Sequence, residues 1–209
     1  EYACLPRMSA LAEVTWTGPE RDWNHFCERL PGLLQYLELR HYTVAHSVYK
    51  PRITTGPIDS GLELTLACDM PGMDIYYTLD GSKPGPDSPR YDQPLQINHN
   101  SVLRACSVEP VTGQIFGDER AHLAIHKALH RPLYRLFENQ MTPAEDLSRL
   151  TDGRLGTERI FHGFEWTQFT EEHTDLAVDL GSATEVLRVE LNFEAGAHRT
   201  LFFPSQVEV

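Results

Sequence analysis

A mainly β chain with a short helical start is the fold class this sequence predicts. Two changes of hydrophobic period and one turn-rich stretch predict it. Apolar side chains recur every three or four residues up to about residue 46, then alternate with polar ones beyond Pro51, and alternate again after Leu150-Thr151-Asp152-Gly153. The first spacing is that of a helix face, the second that of a strand covered on one side. Short strands separated by turns over about 75 residues indicate a small antiparallel sandwich. The chain divides accordingly into a helical part at 1–46, a sandwich at 47–127, and a linker with a second β region at 128–209.

The helical part comes first. Leu5, Met8, Leu11, Ala12 and Trp16 fall on one face, and Thr17-Gly18-Pro19 ends the run in the order expected past a helix. A second helix starts near Glu20, with Trp23, Phe26, Cys27 and Leu30 on one face and Leu33, Leu34 and Leu37 continuing it. Pro31 is expected to kink or restart it, because proline brings no amide hydrogen and crowds the preceding turn. Two apolar-faced helices need a partner, so residues 1–46 are expected to self-associate or to dock on the sandwich.

In the sandwich, Leu62, Leu64 and Leu66 alternate with Glu63, Thr65 and Ala67. Ile75-Tyr76-Tyr77-Thr78-Leu79 is β-branched and aromatic and runs into the hairpin signal Asp80-Gly81. Further strands are expected over 93–98, 101–108 and 120–126. Residues 128–150 read as a linker and an entry strand. Beyond them, 176–180 and 186–193 have strand patterns, and 201–209 alternates to the last residue, as a chain stopping inside a sheet would.

The 209 residues carry 18 basic and 30 acidic side chains, a net charge of −12. Nucleic acid is excluded as a partner on that balance, since its binding rests on Lys and Arg neutralising phosphates. No apolar run approaches the roughly 20 residues of a membrane helix. Cys4, Cys27, Cys68 and Cys106 show no metal-ligand spacing, and free buried thiols are expected over a Cys68–Cys106 pair. The ten histidines are scattered, so neither a metal centre nor a cofactor is expected from them.

Tyr2, Pro6-Arg7, Ala10-Leu11-Ala12-Glu13 and Trp16, followed by Trp23-x-x-Phe26 and Arg29-Leu30, resemble the end of the catalytic barrel of glycoside hydrolase family 20, the β-N-acetylhexosaminidases. Tyr76 to Pro84, Ser88-Pro89-x-Tyr91 and Leu103-Arg104-Ala105 are similar to the fibronectin-like sandwich that follows that barrel. Leu150 to Gly153, Gly163-Phe164, Val178 to Gly181 and Pro204-x-x-Val207 look like the front of a discoidin-type jelly roll. The resemblance implies a helical remnant of a TIM barrel, a small β-sandwich and a partial jelly roll, in that order.

It also implies substrate-assisted chemistry, in which the sugar's own 2-acetamido group is the nucleophile, an Asp orients it and a Glu protonates the leaving group; this is an exception to the two-carboxylate scheme. Both acids are expected ahead of residue 1, so no catalytic residue is carried over, and Glu13 is read as structural. Trp166 and Tyr77 are the candidate sugar-stacking aromatics, although Phe161 stands where the family often has Trp. Asp152 with Thr157 is the candidate calcium pair, since hard cations take oxygen ligands, while Asp-Gly is also an ordinary turn signal. The whole enzyme is expected to be exported to the periplasm or cell surface and to remove terminal N-acetylglucosamine or N-acetylgalactosamine from glycans. The alternative is a non-catalytic carbohydrate-binding or scaffolding protein.

Overall fold

The structure is a computed structural model that describes residues 4–19, 21–137, 140–143, 145–156, 166–167, 169 and 173–193. Among them are two α-helices, α1 (Arg7–Trp16) and α2 (Trp23–Leu39), and ten strands paired antiparallel in three sheets. The mainly β class expected from the periods is the class observed.

Helix α2 is set by its ends and its face. Asp22 caps it, its carboxylate accepting the Asn24 and His25 amides at 2.8 and 3.3 Å, which satisfies two donors the first turn leaves unpaired. Phe26, Cys27, Leu30 and Leu34 are buried on one side. Helix α2 does not restart at Pro31: it runs through it as one element. Pro31 lies on the exposed side, so its ring meets water rather than a packed neighbour and the cost reduces to one missing main-chain bond and local crowding.

The partner that α2 needs is the sandwich itself. Its buried face packs with Val44, with Tyr49 of a 3-10 turn (Ser47–Tyr49), and with Met70. The Trp23 indole N–H donates to the Asp69 carbonyl at 3.2 Å, and the Tyr49 ring stacks on Phe116 with centroids 4.4 Å apart. Helix α1 is different. Leu5 and Ala10 touch the same cluster, and Glu13 meets Arg29 of α2 at 2.6 Å. No residue of α1 is buried, and Trp16 is 90% exposed.

One sandwich sheet holds β1 (Pro51–Ile58), β2 (Gly61–Cys68) and β4 (Leu95–Ile97) in the order β1-β2-β4. The other holds β3 (Asp74–Thr78), β5 (Ser101–Val108), β6 (Ile115–Leu123) and β9 (Arg154–Leu155) in the order β3-β5-β6-β9. Leu62, Leu64, Leu66, Ile75, Ile97, Leu103, Ala105, Ala121 and Leu123 fill the space between. Each fully covered Leu or Ile there contributes about 1.5–3 kcal/mol of apolar burial. Strand β5 departs from alternation after Ala105, where its register to β6 shifts, and Cys106 and Ser107 are both buried. A bulge of this kind turns successive side chains away from the regular two-face pattern.

A third sheet has the order β10-β7-β8, from β7 (Leu133–Phe137), β8 (Gln140–Pro143) and β10 (Asp175–Val178). Residues 128–150, expected as a linker with one strand, thus contain a hairpin and a 3-10 turn (Glu145–Leu150). Strand β1 was missing from the expectation and β6 begins five residues earlier than expected. Residues 186–193 form no strand, although their alternation suits one; Leu187 is 87% exposed. Among the described residues their main chain has no ladder partner, and alternation cannot sustain a strand without one. The expected strand at 201–209 lies outside the described residues.

Candidate functional site

The four positions singled out in the sequence do not converge on one site. Tyr77 lies on β3 with its ring against the sandwich core and edge-on to Tyr91, the centroids 6.5 Å apart. The loop that carries Tyr91 is laced along β3 by the Tyr77 N–H to Pro89 carbonyl bond at 3.1 Å and the Tyr91 N–H to Ile75 carbonyl bond at 2.8 Å. Tyr76, on the opposite face of β3, is half-buried as well. Of the two rings, Tyr77 is the one that packs on the core.

Trp166 is half-buried. Its indole lies so close to Gly156 that a β-carbon there would stand 2.5 Å from Cε2 and Cζ2. Gly156 is the residue that makes room for it, a relation the sequence did not announce because the two are ten positions apart without a motif between them.

Asp152 sits in a tight turn. One carboxylate oxygen accepts the Arg154 amide at 2.8 Å, and its main-chain carbonyl accepts the Thr55 hydroxyl at 3.4 Å. Burial is the main influence on its carboxyl and pushes its pKa up, opposed by the Arg154 amide and by the charges of Arg154, His130 and Arg149. Its charged neighbours are basic groups rather than the further oxygen ligands a calcium ion takes. Thr157, its expected companion, lies outside the described residues. Among the described residues no group of three His, Cys, Asp or Glu is placed to hold a metal ion.

A groove of about 440 Å³ lies between the two helices, walled by Trp16, Phe26, Leu30 and Leu33 and crossed by the Glu13–Arg29 pair. Glu13 is the one carboxylate among the residues that line it, and it is bonded to Arg29. Sequence reasoning missed the clamp on the Asp80-Gly81 turn. Arg104 of β5 holds Asp118 of β6 through Nε at 2.8 Å and a second nitrogen, and its Nη1 donates to the Gly81 carbonyl at 3.1 Å. Neighbours across two strands leave no spacing signature in one sequence.

Residues 53–114 match the family model of the chitobiase/beta-hexosaminidase C-terminal domain. The match starts on β1 and ends just before β6. A beta-hexosaminidase of Porphyromonas gingivalis is 25% identical over 183 residues, covering 79% of this chain and 23% of the relative. The chain therefore spans under a quarter of that relative's length. Among the described residues no helix is long and apolar enough to cross a membrane. On the sandwich and its matches, this is a glycosidase-related chain that carries a hexosaminidase C-terminal domain.

Proposed function

We propose that this chain is the C-terminal part of an exported β-N-acetylhexosaminidase, which removes terminal N-acetylglucosamine or N-acetylgalactosamine by substrate-assisted catalysis. In this reading α1 and α2 are the last helices of the catalytic barrel and residues 47–127 are the sandwich that follows it. Residues 128–209 are then a linker with the front of a discoidin-type jelly roll. The Asp–Glu pair belongs to the part of the enzyme before residue 1, and glycans ending in N-acetylhexosamine are the partners of the whole enzyme.

The observation that carries the reading is the hexosaminidase C-terminal domain at 53–114 with two helices packed ahead of it. The exposed apolar side of α1 supports it, since Met8, Leu11 and Trp16 have no cover among the described residues and a barrel would supply one. Turnover of a chromogenic N-acetyl-β-glucosaminide tests it, measured on the 209-residue chain and on the product of the reading frame extended upstream. The chain alone is expected to be inactive and the extended product active. Hydrolysis by the chain alone, or an upstream frame without an adjacent Asp-Glu, overturns the reading.

A further inference from the structure

Thr151, Asp152, Gly153, Arg154 and Leu155 meet the sandwich on several sides. Leu155 pairs with His122 and Arg154 with Leu123, so β9 is the fourth strand of the β3-β5-β6 sheet. The Gly153 carbonyl accepts the Ala124 amide at 2.8 Å, and the Thr151 carbonyl accepts the His130 amide at 2.7 Å. From the opposite sheet, Thr55 donates to the Asp152 carbonyl at 3.4 Å, and Arg154 donates back to the Ile53 carbonyl at the same distance. Gly153 has a φ of +76°, and a β-carbon on it would lie 2.6 Å from Leu129 Cδ1 and 2.9 Å from Cδ1 of the fully buried Leu62. The turn is thus pressed against the core side chains, where only glycine fits in backbone shape and in volume.

The same stretch of chain holds the third sheet. Leu147 is buried with Leu133 of β7 and packs on Leu176 of β10. Thr151 and its neighbours close on the 124–132 segment, whose Pro132 carbonyl accepts the Asp179 amide at 3.0 Å and whose Lys127 ammonium donates to the Glu185 carbonyl at 2.5 Å. A tether between independent modules is an exposed stretch that few contacts cross; residues 124–132 and 147–155 are instead bonded on both sides.

We infer that Thr151–Leu155 is a clasp that joins the β10-β7-β8 sheet to the sandwich as one cooperatively unfolding body with a fixed orientation. The inference does not depend on the hexosaminidase reading. It changes what the downstream region can do: a sheet clasped in place braces or positions its neighbours and does not swing out to search for a ligand.

Hydrogen exchange and thermal unfolding of the whole 209-residue chain test it. The Ala124 and His130 amides, which bond to the clasp, are expected to exchange within about tenfold of the β5 and β6 amides, with a single thermal transition. Gly153→Ala is expected to lower that transition by about 5 °C or more and to loosen β2, β5, β7 and β10 together. Two separate transitions in the unmodified chain overturn the inference. So does a Gly153→Ala variant that loosens β7 and β10 but leaves β2 and β5 as protected as before. The exchange rates of the unmodified chain decide the matter alone where the variant does not fold.

Discussion

Arg104 and Asp118 face each other across β5 and β6, Nε lying 2.8 Å from Oδ1 and a second guanidinium nitrogen on Oδ2. The pair is a fork on a fork, the geometry in which a guanidinium fits a carboxylate best. Its third contact, to the Gly81 carbonyl at 3.1 Å, reaches the hairpin turn at Asp80-Gly81. That turn has its own lock, since Asp80 accepts the Ser82 amide and hydroxyl at 2.9 and 2.6 Å.

The first prediction concerns acid. The hydrogen bond from Arg104 is the largest influence on the Asp118 carboxyl and holds its pKa below the ordinary aspartate range. A carboxyl lowered in the folded state binds its proton more readily when unfolded. The stability it supplies is therefore complete above the unfolded pKa, near 4, and is lost as pH falls through the lower folded value. Because the Asp118 side chain is 45% exposed, the effect is screened and small. Urea midpoints measured between pH 7 and pH 2 are expected to fall less steeply on the acid side for Asp118→Asn than for the unmodified chain. Equal acid limbs would show that the pair contributes nothing.

A second prediction separates real strands from strand-like sequence. Leu103 is fully buried between the sheets, whereas Leu187 is largely exposed and outside the ladders of the described residues. Leu103→Ala removes transfer energy and leaves a cavity, for an expected loss of about 2–5 kcal/mol. Leu187→Ala is expected to stay within roughly 0.5 kcal/mol. Urea unfolding of both variants checks this, and comparable losses would mean that 186–193 is packed after all.

That contrast marks how far the sequence could be read. Leu62, Leu64 and Leu66 announced β2 because each sits on one covered face of a central strand, where alternation follows from burial. Residues 186–193 have an equally clear alternation and form no strand, because pairing is a property of a second segment and not of the pattern. Strand β1 was illegible for the opposite reason. It is an edge strand with Gly56 and Pro57 near its end, residues that weaken a strand pattern yet are tolerated at an edge. Of the candidate site residues, Tyr77 was visible as a strand aromatic, but alternation alone did not say that it is the ring against the core. The Gly156–Trp166 and Arg104–Asp118 relations were not visible, since each joins residues ten or more apart through the fold.

The cysteines give a third prediction. All four are free; Cys4 is exposed, Cys27 and Cys106 are buried, and Cys68 is partly covered. Burial raises the pKa of Cys27, Cys68 and Cys106 above the ordinary thiol value, and the thiolate is the reactive form. The Cys68 thiol is further held on the Tyr49 carbonyl at 3.3 Å. A thiol-specific disulfide reagent at pH 8 is expected to titrate one thiol quickly in the folded chain, and all four after denaturation. Peptide mapping should place the fast thiol at Cys4. Rapid labelling of Cys27 or Cys106 would contradict the packing of α2 or of β5.

The last prediction uses Gly156 to report on Trp166. No side chain fits at 156 while the indole stays where it is, because a β-carbon would stand 2.5 Å from two ring carbons, well inside the contact distance of about 3.5–4.0 Å between carbon atoms. In Gly156→Ala either the ring or the backbone must move, and a half-buried ring moves toward water more readily than a main chain that directly follows β9. Replacing Trp16 and Trp23 by Phe leaves Trp166 as the sole indole, since the chain has three tryptophans. In that background Gly156→Ala is expected to shift the emission to longer wavelength and to raise quenching by iodide, while the far-ultraviolet dichroism of the sheets is kept. An unchanged spectrum would mean that the indole does not rest on Gly156 in solution. A shift would instead show that the ring is held by a space only glycine leaves.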